Sequence, residues 1–170
     1  IDESASDKEF GTFLRAFMDE EVTPTLPQLD GINLTEYKDA LQARFGNIYI
    51  KDQIARICLE SSAKMPKFLI STLRAQLEAN GPIERATLVL AAWCKYNLGQ
   101  DEKGNTYDIV DAMADQLKAA AAGTADDALS FLRQEMIFGD LVSNERFTTA
   151  YKAALAKVNN GTIKEAVIEL

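Results

Sequence analysis

The chain has 170 residues and a mass of 18.7 kDa, which is the size of one ordinary domain with room for a sizeable core. Its 18 Lys and Arg residues against 26 Asp and Glu residues leave a net charge of −8. This balance argues against non-specific nucleic-acid binding, because neutralising phosphates needs clustered cations. The apolar fraction of 47% is typical of globular proteins, and no apolar run reaches the roughly 18 residues of a membrane-spanning helix.

The sequence contains no histidine. This excludes Ser-His-Asp and Cys-His catalysis and histidine-based zinc sites within the chain, and we expect no metal site in it. Cys58 and Cys94 form no CxxC motif and lie in apolar helical patterns, where a buried free thiol is the usual state. This cysteine usage fits a reducing cytoplasm, which is the location that we expect.

The dominant period of the apolar residues is helical. Ser6 and Glu9 predict a capping box at the start of a first helix, and Asn33 with Glu36 predicts the start of a second. The expected core face of the first helix carries Phe10, Phe13, Leu14, Phe17 and Met18, and that of the second carries Leu34, Tyr37, Leu41 and Phe45.

Two further helices are predicted in the next stretch of chain. A short third helix is marked by Ile50, Ile54, Ile57 and Cys58, and residues 47–50 are the one strand candidate. Pro66 suits the first turn of a fourth helix, because its missing N–H costs nothing there. The expected inner side of the fourth helix carries Met65, Phe68, Leu69, Thr72, Leu73 and Leu77.

Residues 83–98 are apolar almost all round, which is typical of a buried central helix. Four more helices are predicted after it. The first lies near 109–121, and the second lies near 125–137 and carries Leu129, Leu132 and Met136. The third is indicated by the helical spacing of Phe147, Ala150, Tyr151, Ala154, Leu155 and Val158. The fourth follows a capping box of Thr162 and Glu165. The sequence therefore predicts an all-α fold, a single domain of eight or nine helices packed around segment 83–98.

Most charged clusters are interpreted as solvent-facing. The acidic runs Asp19-Glu20-Glu21 and Asp126-Asp127 lie at predicted helix ends or on polar faces, where acids are normally solvated. Gly-rich phosphate loops are missing, because no GxGxxG follows a strand and no Walker motif occurs.

Two cations eight residues apart, Arg56 and Lys64, are more informative. Lys64 precedes the predicted helix start at Met65-Pro66 by one residue, and a helix start offers free N–H groups and a positive dipole end. Together with nearby serines, this would form a donor-rich pocket suited to hydroxyl or carboxylate oxygens. The alternative is an ion pair of Asp52 with Arg56 at i,i+4 beside an exposed lysine.

This region and several others resemble the long-chain mannitol dehydrogenase family, which includes fructuronate and tagaturonate reductases and arabinitol dehydrogenases. Each motif is weak alone, but together they follow the family's order over most of the chain. They are Glu20-Glu21-Val22-Thr23-Pro24-Thr25-Leu26, Gly31-Ile32-Asn33-Leu34 with Tyr37, Arg44-Phe45-x-Asn47, Arg56-Ile57, Ser62-x-Lys64-x-Pro66-Lys67, Ala91-Ala92-Trp93-x-x-Tyr96-x-x-Gly99-x-Asp101 and Phe138-Gly139-Asp140-Leu141.

The resemblance implies a zinc-independent polyol dehydrogenase that uses NAD or NADP and converts mannitol-type alcohols by hydride transfer. In that family a Rossmann domain precedes a helical domain, and a lysine, an asparagine and a histidine on a helix between them form the catalytic pattern. That pattern and the nucleotide fingerprint are absent from this sequence. We therefore expect residues 1–170 to be the C-terminal helical substrate domain of a longer polypeptide, without catalytic residues of its own and inactive alone, and the opening at Ile1 rather than Met agrees.

The resemblance also implies roles for three residues. Arg56 and Lys64 are expected to contact hydroxyl and carbonyl oxygens of the substrate, a sugar alcohol or ketose. Asn47 is expected to support the same side of the substrate cleft, and the stronger alternative for Asn47 is a turn residue that ends a helix. The family usually has Asp-Gly-Ser where this chain has Glu60-Ser61-Ser62, so we expect a changed turn at the glycine position, Ser61. The alternative function is a non-enzymatic helical module that binds a protein partner through an exposed apolar patch.

Overall fold

The structure is a computed structural model that describes residues 7–28, 30–47 and 54–170. Helix α1 spans Lys8–Ala16, and its N-cap is Asp7, whose carboxylate accepts hydrogen bonds from the backbone N–H groups of Glu9 and Phe10. The predicted capping residue, Ser6, lies outside the described residues. The chain continues from α1 through a π-helical segment, Phe17–Val22, into a 3₁₀ turn at Thr23–Thr25.

The sequence predicted that all three acids of the run at the end of this first helical stretch face solvent, and for Glu21 this prediction is wrong. Glu21 is fully buried, and its carboxylate accepts the backbone N–H groups of Arg85 and Ala86 at 2.7 and 2.8 Å. Burial raises the pKa of Glu21, and these two hydrogen bonds act in the opposite direction. The prediction failed because the partners of Glu21 lie more than sixty residues further along the chain.

Helix α2 spans Leu34–Phe45 and begins where the sequence predicted, with the Asn33 side chain accepting the N–H groups of Thr35 and Glu36. The predicted core face is wrong, because Tyr37 is 61% exposed and Phe45 48% exposed. The buried side chain of α2 is Lys38, which forms an ion pair with Asp19 and donates to the Thr23 hydroxyl at 3.2 Å. Polar contacts to the α1 stretch therefore decide which face of α2 points inward.

The next part of the chain forms one short helix, followed by a long continuous helical rod. Helix α3 is a single turn at Ile54–Ile57, and α4 spans Ser61–Met65. A π-helical segment, Pro66–Ile70, joins α4 without interruption to α5, Ser71–Glu78. The predicted strand residues 48–50, and Ile50 of the third helix, lie outside the described parts of the chain.

The fourth predicted helix therefore begins earlier than expected, at Ser61 and not at Pro66. Pro66 is accommodated inside the rod, where the wider π turn needs no N–H from it. Leu69 and Leu73 are buried as predicted, but Phe68 is 69% exposed, because the π turn changes the phase of the helix faces.

Helix α6, Glu84–Tyr96, is the buried centre that the sequence predicted. The ring centroid of Trp93 on this helix lies 5.0 Å from that of Phe131, in an edge-to-face arrangement, and 6.3 Å from that of Phe138. The long helix α9, Glu145–Asn160, packs along α6. Aromatic and aliphatic side chains from both sides therefore close around α6, which makes it the core of the fold.

The segment between α6 and α9 is more broken than predicted. Helix α7 spans Ala114–Ala122, five residues later than the expected start at 109, and the predicted helix over 125–137 is divided into a 3₁₀ turn at Ser130–Arg133 and the four-residue helix α8, Glu135–Phe138. The Asp127 carboxylate accepts the N–H of Leu129, which favours a turn over a continuing helix. Met136 consequently points outward and is 86% exposed.

The last helix, α10, spans Ile163–Ile168 and opens with the predicted capping box of Thr162 and Glu165. Within the described residues the structure has ten α-helical segments, and the continuous join of α4 to α5 reduces them to nine separate helices. The predicted all-α fold, with eight or nine helices around a central one, is confirmed. Helices long and apolar enough to cross a membrane are absent from the described part of the chain.

The first and last helices are joined by an ion pair that should make the free energy of unfolding depend on pH in the acidic range. Lys164 of α10 donates to the Asp7 carboxylate at 2.5 Å. This hydrogen bond is the main cause that lowers the pKa of Asp7 from its ordinary value of 3.8 to about 2. A lowered pKa stabilises the fold above the unfolded value, and that contribution is lost as the pH falls through the folded value.

We therefore expect the difference in Tm between the wild type and Asp7→Asn to be constant above about pH 5 and to shrink as the pH falls towards about 2.5. Thermal unfolding followed by circular dichroism at a series of pH values measures it. Lys164→Met removes the same ion pair and should give the same convergence. Curves that stay parallel down to the acid limit would contradict the assignment.

Candidate functional site

The two cations singled out in the sequence lie on neighbouring short helices. Arg56 is exposed on α3, and Lys64 is exposed in the last turn of α4. The Lys64 ammonium donates to the backbone carbonyl of Ile57 at 2.9 Å, so the residue that follows Arg56 is bound directly by Lys64. A cation at the carboxyl end of a helix is favourable, because the free carbonyl groups there carry partial negative charge.

The expected donor-rich pocket at a helix start beside Lys64 is not formed. Because α4 begins at Ser61 and runs into Pro66 without a break, Lys64 lies inside a helix and not before one. The N–H groups of Met65 and its neighbours are therefore not the free groups of a helix terminus. The helix start that does occur, at Ser61 and Ser62, is bound by a carboxylate from elsewhere in the chain.

That carboxylate belongs to Asp111, which the sequence analysis missed. One of its oxygens accepts the Ser62 N–H at 2.8 Å and the Ser61 hydroxyl at 3.1 Å, and the other accepts the Ser62 hydroxyl at 2.5 Å and the Met113 N–H at 2.9 Å. Burial alone would raise the pKa of Asp111, but the hydrogen bonds, chiefly from Ser62, outweigh it and lower the pKa. Asp111 therefore stays ionised and fixes the start of α4.

The turn between α3 and α4 is held by the same stretch of chain. The N–H of Glu60 donates to the Val110 carbonyl at 3.0 Å, and the Glu60 carboxylate accepts the N–H of Ala112 at 3.3 Å. Glu60 has a φ of 50°, in the left-handed region, whereas Ser61 is helical. The left-handed position is therefore Glu60 and not Ser61, and a turn that differs from the family's at the glycine position stays a prediction.

The third candidate, Asn47, lies just beyond the end of α2, where its N–H donates to the Arg44 carbonyl at 3.3 Å. It is exposed, and residues 48–53 between it and α3 lie outside the described chain. The bond from Lys64 brings α3 and α4 together. That Asn47, Arg56 and Lys64 contact one substrate stays a prediction.

The surroundings of the two cations offer apolar surface and hydrogen-bond donors. Ile57 is half exposed, and Phe68 is exposed on the π segment that follows Lys64. In the parts of the chain that the structure covers, no three His, Cys, Asp or Glu side chains gather as metal ligands. The ammonium and guanidinium groups are hydrogen-bond donors that suit hydroxyl or carboxylate oxygens of a ligand.

Comparisons with known proteins agree on one family. A family model described as the mannitol dehydrogenase C-terminal domain matches residues 1–159. The chain is 35% identical over 170 residues to a mannitol 2-dehydrogenase of Phaeosphaeria nodorum, covering 99% of this chain and 29% of that protein. It is 38% identical over 156 residues to a mannitol 2-dehydrogenase of Pyrenophora tritici-repentis, covering 91% of this chain and 27% of that protein.

Two solved structures share the fold. The first is a ternary complex of Pseudomonas fluorescens mannitol 2-dehydrogenase with NAD and D-mannitol, with a TM-score of 0.92 and 34% identity. The second is D-sorbitol dehydrogenase in substrate-free form, with a TM-score of 0.83 and 25% identity. Each match covers 98% of this chain and 34% of the other. The chain thus spans about a third of the length of the relatives that it matches.

Proposed function

This chain belongs to the mannitol dehydrogenase family as a C-terminal domain, as its motifs predicted, and we propose that it binds the sugar alcohol within a longer NAD-dependent oxidoreductase. The proposed reaction is hydride transfer between a mannitol-type alcohol and the corresponding ketose. An N-terminal Rossmann domain on the same polypeptide is the proposed partner and holds the nucleotide. The two free cysteines fit the cytoplasmic setting that we propose for it.

The observation that carries this proposal is the placement of Lys64. Lys64, in the motif Ser62-x-Lys64-x-Pro66-Lys67, is exposed on α4, and its bond to the Ile57 carbonyl links it to α3, which carries Arg56. A polyol has many hydroxyl oxygens and no charge, so fixed cationic donors can orient it without needing an opposite charge. Similarity to a protein that was solved with NAD and D-mannitol supports this choice of ligand.

In this proposal the chain orients the substrate and does not itself move the proton. NAD supplies the hydride acceptor when it is bound. The hydroxyl proton goes to a lysine outside these 170 residues, because the resemblance assigns the catalytic lysine, asparagine and histidine to a helix between the two domains, and this chain has no histidine. Lys64 and Arg56 donate hydrogen bonds to hydroxyl oxygens of the substrate, with Asn47 in support, so that the reacting carbon is held in position.

Replacing Lys64 with methionine in the full-length polypeptide should raise the KM for D-mannitol about tenfold to a hundredfold, because a hydrogen bond from a charged group contributes about 1.5–3 kcal/mol. Steady-state kinetics with saturating NAD measures it. Lys152→Met is the matched control, because Lys152 is an exposed lysine in α9, outside the α3 and α4 region. The isolated 170-residue chain is the blank and should show no turnover with D-mannitol and NAD.

An unchanged KM in Lys64→Met would contradict the substrate role of Lys64. A full-length polypeptide that shows no turnover with D-mannitol and NAD would favour the alternative, a non-enzymatic helical module that binds a protein partner. Turnover by the isolated chain would contradict the division of labour between the two domains. A KM that rises equally in Lys64→Met and Lys152→Met would show a general effect of charge and not a contact to substrate.

A further inference from the structure

Asp111 makes more hydrogen bonds than a carboxylate needs for a simple turn. Each of its two oxygens accepts one backbone N–H, from Ser62 and from Met113, and one serine hydroxyl, from Ser61 and Ser62. Ser61 and Ser62 lie about fifty residues before Asp111 in the chain, so these bonds join two distant segments. Asparagine could not fully replace this carboxylate, because its single oxygen could accept only one of the two N–H groups and its NH₂ group could not accept the other.

The start of α4 is fixed to the core as well. The Ser61 hydroxyl accepts the indole N–H of Trp93 at 2.9 Å, and Trp93 is buried on the central helix α6. Ser61 thus connects Asp111 on one side with the core on the other. Hydrogen bonds to an ionised group are stronger than neutral ones, so Asp111 is the dominant member of this network.

What this network holds is the helix that carries Lys64. Ser62 lies two residues before Lys64 in the same five-residue helix, and Lys64 in turn binds the Ile57 carbonyl at the end of α3. A helix of one turn has no stability of its own, so α3 depends on contacts of this kind for its position. Both candidate cations are thereby linked to Asp111 through the backbone of α4.

We propose that Asp111 is a positioning residue for substrate binding, which fixes the start of α4 through Ser61 and Ser62 and so sets where Lys64 and Arg56 stand. The inference rests on the proposed function above. Asp111 acts through Ser62 and the backbone of α4, so its contribution should depend on the presence of Lys64. A residue that only stabilised the fold would not show that dependence.

The test is a double-mutant cycle in the full-length polypeptide. Asp111→Asn alone should raise the KM for D-mannitol about tenfold while leaving the Kd for NAD unchanged, because a small displacement of a positioned group has a large effect on productive binding. In the Lys64→Met background the same substitution should add less than about twofold, because the group that Asp111 positions is already gone. Asp127→Asn is the control, because Asp127 likewise accepts a backbone N–H, from Leu129 outside this region.

A second variant protects the test against misfolding. Ser62→Ala removes the hydroxyl bond to Asp111 and leaves the carboxylate and the Ser62 N–H in place, so it should give a smaller KM effect with the same dependence on Lys64. Additive effects of Asp111→Asn and Lys64→Met, or an NAD affinity that falls in step with substrate binding, would overturn the positioning role. If Lys64→Met itself leaves KM unchanged, the proposed function fails first, and this inference fails with it.

Discussion

Replacing Glu21 with alanine should lower the free energy of unfolding by about 3–5 kcal/mol, because the change removes a buried charge and leaves its partners unsatisfied. Glu21 occupies the N-terminus of α6, where the N-cap residue Ile83 provides no side-chain acceptor. Its two oxygens accept the N–H groups of Arg85 and Ala86. Without them, these N–H groups would stay buried without a partner at the start of the central helix.

The surroundings of Glu21 make the loss difficult to repair. The Arg85 guanidinium lies 3.9 Å from the Glu21 carboxylate and 2.8 Å from that of Glu20, and the Gln76 amide donates to the Glu21 backbone carbonyl at 2.7 Å. These contacts hold the π segment against α5 and α6. A side chain shortened to methyl cannot reach the helix terminus, and Glu21 is fully buried, so the loss of its two hydrogen bonds leaves polar groups without these partners in the interior.

Urea unfolding followed by circular dichroism measures the change. Glu20→Ala is the matched control, because Glu20 is half exposed and its ion pair with Arg85 should contribute at most about 1 kcal/mol. Glu21→Gln should lie between the two, since the amide keeps one acceptor and loses the other. A Glu21→Ala variant as stable as Glu20→Ala would contradict the role of Glu21 as the cap of α6.

Phe131→Ala should also cost about 3–5 kcal/mol, through the cavity that it leaves beside the central helix. Phe131 is fully buried and lies edge to face with Trp93 at 5.0 Å and with Phe138 at 6.0 Å. Three aromatic rings from separate segments meet at this point, and two of the three contacts are lost with Phe131.

The emission of Trp93, the single tryptophan of the chain, reports on this cavity. Urea unfolding should shift to lower concentrations in Phe131→Ala with a similar slope. Met136→Ala removes an exposed side chain five residues away and should change the stability by less than about 0.5 kcal/mol. Equal losses in the two variants would contradict the assignment of Phe131 to the core.

Local signals in the sequence predicted the parts of this fold that depend on neighbouring residues. Asn33 begins α2, Thr162 and Glu165 form their capping box, and segment 83–98 contains the buried helix α6. A helix cap is formed by groups two or three residues apart, and a helix that is apolar almost all round is stable only in the interior. The signals for such features lie in residues that are close together in the sequence, so a single sequence reveals them.

The errors arose where distant residues decide the outcome. Glu21 is buried because α6 needs an acceptor at its start, and Lys38 is the inward side chain of α2 because Asp19 binds it. The start of α4 at Ser61 depends in the same way on Asp111. Neither the spacing nor the polarity of these residues reveals partners that are tens of residues away.

In the candidate site too, the sequence pointed to the residues that belong to local motifs and missed the one whose role depends on distant contacts. The motif residues Arg56 and Lys64 could be named because their spacing resembles a family pattern, and their roles stay predictions. Asp111 could not be named, since an isolated aspartate before a helix is common and its partners are two ordinary serines. The geometry at the start of α4 is a property of two segments together and not of either one.

Helix α2 is held in an unusual way for an element of a folded domain. Its inward residue, Lys38, binds Asp19, and Arg15 of α1 pairs with both Asp19 and Asp39, while Tyr37 points outward. Among the described residues, the contacts that attach α2 to α1 are thus mainly ion pairs and hydrogen bonds, including one from the Gln42 amide to the Gly11 carbonyl, with few apolar contacts. Its backbone amides should exchange with solvent through a local opening that added salt makes easier, well before the amides of α6 are released by global unfolding.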